Sequence, residues 1–160
     1  MRRFGLSTLP LIVAVAANCA SPSVAHADNN RLNNSVVADV YTIQHQAGCT
    51  NDVLMDPKLQ LAAQWHADDL MNNRNLDGNT GSDGSSPGDR AVAAGFQGAV
   101  SETVVVWPAL AISGIELINQ WYHDPTDFAI ISNCANEKMG VWSENSLDRT
   151  VVVAVYGQPR

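Results

Sequence analysis

What most limits the fold of this chain is a pair of cysteines, read together with its N-terminus. Residues 1–27 have the build of a cleavable export signal: Arg2 and Arg3, an apolar run from Leu9 to Ala17, and the small-residue site Ala25-His26-Ala27 before Asp28. Cleavage there removes Cys19 and leaves Cys49 and Cys134 in an oxidising compartment. An even pair in that setting predicts a bridge, two separate buried thiols being the other reading. In the chain-entropy model, closing so long a loop restricts the unfolded chain by about 4 to 5 kcal/mol. Lipid attachment at Cys19 is the less favoured alternative, because Asn18 stands where such signals carry a small residue. The apolar run is far shorter than the ~20 residues of a spanning helix, and no later stretch reaches that length. The expectation is a secreted or cell-envelope protein with no transmembrane segment.

Residues 28–160 are enough for one domain with a core of its own and too few for two. The whole chain carries a net charge of −7, and loss of Arg2 and Arg3 makes the mature chain more negative still. Such a surface repels phosphate backbones, which excludes nucleic acid as a partner.

Val36, Val40 and Ile43 recur at helical spacing from Leu32 onward, with Gly48 placed to stop the helix beside Cys49. Asp56-Pro57 has the chemistry of an N-cap and first turn for a second helix, with Leu59, Ala62, Ala63, His66 and Leu70 as its buried stripe. Residues 72–88 are rich in Asn, Asp, Gly and Ser, a surface loop. A short helix is predicted over 87–94 and a strand over 101–107, and Pro108 is expected to open a helix reaching Tyr122. The apolar runs 138–142 and 150–156 read as a hairpin. Helices mixed with few strands predict an α+β domain whose small antiparallel sheet is covered by helices.

Five segments in order resemble the CAP superfamily (cysteine-rich secretory, antigen 5 and pathogenesis-related 1 proteins) in its actinobacterial exported form. They are Leu59 to Leu70, Thr80 to Pro87, Arg90 to Phe96, Ser101-Glu102-Thr103 in place of Gly-Glu-Asn, and Trp121 to Asp127 followed by Ile130 to Cys134 and Met139-Gly140-Val141. The resemblance implies a CAP-like domain over 28–160, folded as a three-layer α-β-α sandwich.

Metal-binding members of that superfamily use two His and two acidic residues in a cleft, a donor set suited to zinc. Here Asn79 stands at the first His, Glu102 matches the Glu of the Gly-Glu-Asn motif, Asp124 stands at the second acid, and Asp127 at the second His. Asn79, Glu102, Asp124 and Asp127 would form an oxygen-only cleft, better matched to calcium or magnesium than to zinc, or would be ordinary loop and cap residues. His123 is a candidate replacement ligand beside Glu102 and Asp127, although Pro125 interrupts helical spacing between it and Asp127.

His66 reads as a hydrogen-bonded core histidine. Asp68 and Asp69 point about 100° apart on their helix and cannot act on one bond. No Gly-x-Ser-x-Gly elbow or supported nucleophile is present, so no catalytic residue is assigned. The expectation is a non-enzymatic binding or interaction module needing no cofactor. Its partner would be a lipid, a sterol or an extracellular protein, with part of the apolar stretch Ala109 to Ile118 facing such a ligand. A metal-assisted extracellular hydrolase is the alternative.

Overall fold

The computed structural model describes residues 29–160, so the export signal expected over 1–27 lies outside the described residues. The chain runs α1 (Asn30–Gln46), β1 (Leu54–Met55), α2 (Pro57–Asn72), α3 (Pro87–Ala93), β2 (Gly98–Trp107), α4 (Gly114–His123), α5 (Pro125–Ile131), β3 (Lys138–Ser146) and β4 (Arg149–Pro159). The four strands form one sheet in the order β1-β3-β4-β2, antiparallel except for the two-residue β1, which runs parallel to β3.

The strand alternation of β4 explains the layering. Val152, Ala154 and Tyr156 point into a core with Val36 and Val40 of α1, Leu117 and Trp121 of α4, and Ile131 of α5. Val151, Val153 and Val155 point the other way, onto Leu59, Ala62, Ala63 and Leu70 of α2 and onto Phe96. With both faces covered, β4 is apolar almost throughout. The α+β sandwich is therefore three layers: α1, α4 and α5, then the sheet, then α2 and α3.

The expected starts and stops are mostly in place. Asp56 Oδ1 accepts hydrogen bonds from the backbone N–H groups of Lys58 (2.8 Å) and Leu59 (3.3 Å), with Pro57 in the first turn of α2. Gly48, at φ 95°, lets the chain leave α1 while the N–H of Cys49 bonds the carbonyl of Gln44. Cys49 and Cys134 are bridged with Cα atoms 5.2 Å apart, tying the end of α1 to the segment between α5 and β3. Among the described residues, no helix is long and apolar enough to cross a membrane.

One element begins later than its composition suggests. The helix expected from Pro108 starts at Gly114, capped by a reciprocal pair in which Ser113 and Glu116 bond each other's backbone N–H groups. Strand side chains hold the intervening segment: Thr150 Oγ1 donates to the carbonyl of Ala109 (2.8 Å) and Asn145 Nδ2 to that of Leu110 (2.6 Å). Those carbonyls are engaged outside any helical ladder, so the segment is fastened to the ends of β3 and β4 near their turn and is not part of the apolar helix anticipated there.

Candidate functional site

Glu102 is the residue around which the site is built. It lies in β2 opposite Val155, a register that turns its side chain toward α2 and α3. The carboxylate is fully buried and has two partners. His66 Nδ1, from the inner face of α2, lies 2.9 Å from Oε1. The same nitrogen accepts a hydrogen bond from Arg90 Nη2 at 3.2 Å, a guanidinium being a donor only. Arg90, from α3, places one guanidinium nitrogen 2.9 Å from Oε1 and 3.1 Å from Oε2.

Arg90 also holds the loop that precedes its helix. Its guanidinium donates to the carbonyls of Asn79 (2.9 Å) and Ser85 (2.8 Å) and to Ser85 Oγ (3.2 Å). Asn79 Nδ2 in turn donates to the backbone carbonyl of Glu102 at 3.3 Å. A single cation thus neutralises the buried acid and fastens residues 79–85 to the sheet. His66 Nε2 and Arg90 Nε are buried without a hydrogen-bond partner among the described residues.

The other two acids are elsewhere. Asp124 caps α5, its Oδ1 accepting from the backbone N–H groups of Thr126 (2.8 Å) and Asp127 (3.0 Å). Asp127 follows one turn later and is half-buried. Both line a cavity of about 400 Å³ with Val105, Gln120, Trp121 and His123, on the α4 and α5 side of the sheet. Burial, with help from the negative charge of Asp124, pushes the Asp127 carboxyl up to about 6. His123 is exposed and Nδ1 donates to the carbonyl of Asn119 (2.8 Å), a helix-end contact.

The structure therefore brings Asn79 to Glu102, and His123 and Asp124 to Asp127, with the sheet between the two groups. The donor set does not fit one metal cleft: the Glu102 oxygens are occupied by Arg90 and His66, and Asp127 opens on the opposite face. Among the described residues, no three His, Cys, Asp or Glu side chains are arranged to hold a metal ion.

The partners of Glu102 escape a reading of the chain by motifs. Arg90 sits within the Arg90 to Phe96 segment and His66 within the α2 stripe, and nothing local says that they meet. The available signal is phase. The Ser86–Asp89 capping box fixes where α3 begins, which sends Arg90 and Ala91 inward together.

A family model for CAP, the cysteine-rich secretory protein family, matches residues 22–156. The chain belongs to the CAP family. No curated protein matches its sequence. Its fold is similar to that of an outer surface protein from Borrelia burgdorferi (17% identity, TM-score 0.73, covering 84% of this chain and 98% of that one). It is also similar to an extracellular protein containing an SCP domain from Bacillus anthracis (15%, TM-score 0.65, 81% and 41%). A third similar fold is that of a cysteine-rich secretory protein from Staphylococcus aureus (10%, TM-score 0.59, 82% and 40%). This chain spans about two-fifths of the Bacillus and Staphylococcus proteins. These CAP relatives are largely extracellular or surface proteins, and at such identities the likeness concerns the fold.

Proposed function

We propose that this CAP domain is an exported binding or interaction module, of the type found in actinobacteria, and that it acts without catalysing a reaction. The observation that supports this reading is the state of Glu102, the acid at the family's metal position. Its carboxylate is closed off by Arg90 and His66 inside the core, where it can neither ligate a metal nor take a proton from a substrate without breaking a buried ion pair. A metal-assisted hydrolase would need that carboxylate free in a cleft.

The ligand class in this reading is a lipid or sterol. Ile115 is 83% exposed, and with Ile118 and Tyr122 it forms an apolar strip on α4 that faces Asp39 of α1 across a cavity of about 190 Å³. That volume is too small to enclose a sterol, so an apolar ligand would lie along the strip.

Calorimetry of the mature protein with zinc, calcium and magnesium should show no saturable binding. Micromolar affinity that is lost in Glu102→Ala would overturn the reading. A fluorescent sterol should bind the wild type and bind Ile115→Glu less. Failure with every lipid tried would leave an extracellular protein as the partner.

A further inference from the structure

Strand β2 ends the sheet, paired with β4 on one side and with no strand on the other. Its register with β4 runs without a bulge from Gly98 to Trp107, so every second residue turns its backbone N–H and C=O outward. Phase says which residues these are. Ser146 and Arg149 pair across a two-residue turn and exchange hydrogen bonds, so by alternation Val152 and Ala154 of β4 bond across to Val105 and Thr103. Glu102, Val104 and Val106 are therefore the outward set. The carbonyl of Glu102 agrees, accepting from Asn79 Nδ2 at 3.3 Å. Beyond that contact the edge is open: among the described residues, no group bonds the outward backbone of Val104 or Val106.

Natural sheet edges are blunted by a charge, a proline, a bulge or a covering element. Val104-Val105-Val106 is uncharged, β-branched and regular, and Pro108 comes only after the end of β2. The cavity of about 400 Å³ that holds Asp124 and Asp127 lies along this stretch. Neighbouring residues of a strand point to opposite faces, yet Val104 and Val105 both line it, so it reaches round the open side of β2. Asp124 Oδ1 is taken by backbone, but among the described residues no donor bonds the Asp127 carboxyl. His123, in the same wall, turns Nδ1 to its own helix. Two carboxylates without a counter-ion thus stand beside a row of unpaired backbone groups.

From this juxtaposition we infer that the open edge of β2 accepts an extended segment of another protein as a fifth strand, with a lysine or arginine of that segment in the cavity of Asp124 and Asp127. The backbone of Val104 and Val106 supplies the hydrogen bonds, and the carboxylates set the register. Charge selects the occupant. A second copy, at net charge −7, would bring the same carboxylates to the seam, which opposes self-pairing and favours a basic partner. The inference carries the binding-module reading one step further, to a peptide partner. Its test uses neither lipid nor metal, so it can fail while that reading stands.

The probe is an acetylated, amidated heptapeptide of alternating threonine and valine with a lysine at its centre, titrated into the mature protein at pH 7.5. In the free protein the amides of Val104 and Val106 should exchange rapidly with solvent. With peptide they should move downfield in nuclear magnetic resonance spectra, saturably and half-maximally near about 0.5 mM. Glutamate in place of the lysine, or Asp127→Asn in the protein, should each weaken binding by about five-fold or more. Two N-methylated peptides make the deciding comparison, and neither alters the protein. Methyl groups on the valine and lysine nitrogens block one edge of the strand, and those on the two inner threonines block the other. Just one of the two should lose binding, because β2 meets a single edge. Loss in both or in neither overturns the inference. So does an unaltered affinity in Asp127→Asn, the absence of any shift at Val104 and Val106 with about 5 mM peptide, or a dimer paired through β2 in sedimentation equilibrium without peptide.

Discussion

At the residue scale, Glu102 and Arg90 show how a buried acid is stabilised by one partner and endangered by its loss. Arg90→Met would leave the carboxylate uncompensated in the core and release the carbonyls of Asn79 and Ser85, an expected loss of about 3 to 5 kcal/mol in chemical denaturation. Glu102→Gln keeps the shape and should cost less, and the double variant should lose less than the sum of the two singles. Additive losses would mean that the pair is not coupled. Asp127 provides a prediction of opposite character. Its carboxyl sits at about 6 in the folded chain against 3.8 for the free group, so between those values the folded state holds a proton that the unfolded state has released. Its contribution to stability therefore falls as pH rises from about 4 to 6. After discounting for the solvent still reaching the side chain, the change is on the order of 1 kcal/mol. Asp127→Asn should remove that slope from the pH profile of the melting temperature. Glu102 was recognisable from its motif, whereas its buried ion pair was not, because the three residues are brought together only by packing α2 and α3 on β2.

At the element scale, α2 packs onto β3 with its backbone directly against Gly140. A Cβ on Gly140 would lie 2.0 Å from the backbone nitrogen of Gln60 and 2.2 Å from the carbonyl carbon of Leu59, and rigid backbone has nowhere to move. Gly140→Ala should therefore lift the start of α2 off the sheet, at a cost of about 3 kcal/mol measured by urea unfolding, a size that overpacking seldom exceeds. A stability within 0.5 kcal/mol of wild type would show that the helix slides without penalty. The limits of α1, α2 and α3 were legible because local chemistry sets them: Gly48 after α1, Asp56-Pro57 before α2, Ser86 with Asp89 at α3. Residues 108–113 were misread because their conformation is set from outside. Pro108 followed by apolar residues has the local signature of a helix start, but Asn145 and Thr150, far along the chain, take the carbonyls. Likewise β1 is two residues long and is defined by its pairing with Lys138 and Met139, which no pattern of two residues could announce.

At the scale of the whole molecule, the Cys49–Cys134 bridge joins α1, at the start of the fold, to the segment that leads into β3 and β4. The same junction is fastened without it. Gln44, fully buried, donates from Nε2 to the carbonyls of Asn133 (3.2 Å) and Asn136 (3.1 Å), and Asn51 Nδ2 donates to the carbonyl of Cys134 (2.8 Å). Asn136 Nδ2 reaches back to the carbonyl of Ile130 (2.9 Å). With these bonds holding the folded geometry, the bridge acts chiefly on the unfolded chain, whose loop of 85 residues in sequence separation it closes. Two measurements on the Cys49→Ala/Cys134→Ala double variant separate the effects. The melting temperature should fall by about 10 °C or more, as expected for a loss of several kcal/mol in a domain of this size. The amide signals of residues 130–136 should stay close to their wild-type positions, because the folded state keeps its hydrogen bonds. A melting temperature that falls while those signals also collapse would place the action of the bridge in the folded state. An unchanged melting temperature would mean that closing this loop confers no stability beyond what Gln44, Asn51 and Asn136 already supply.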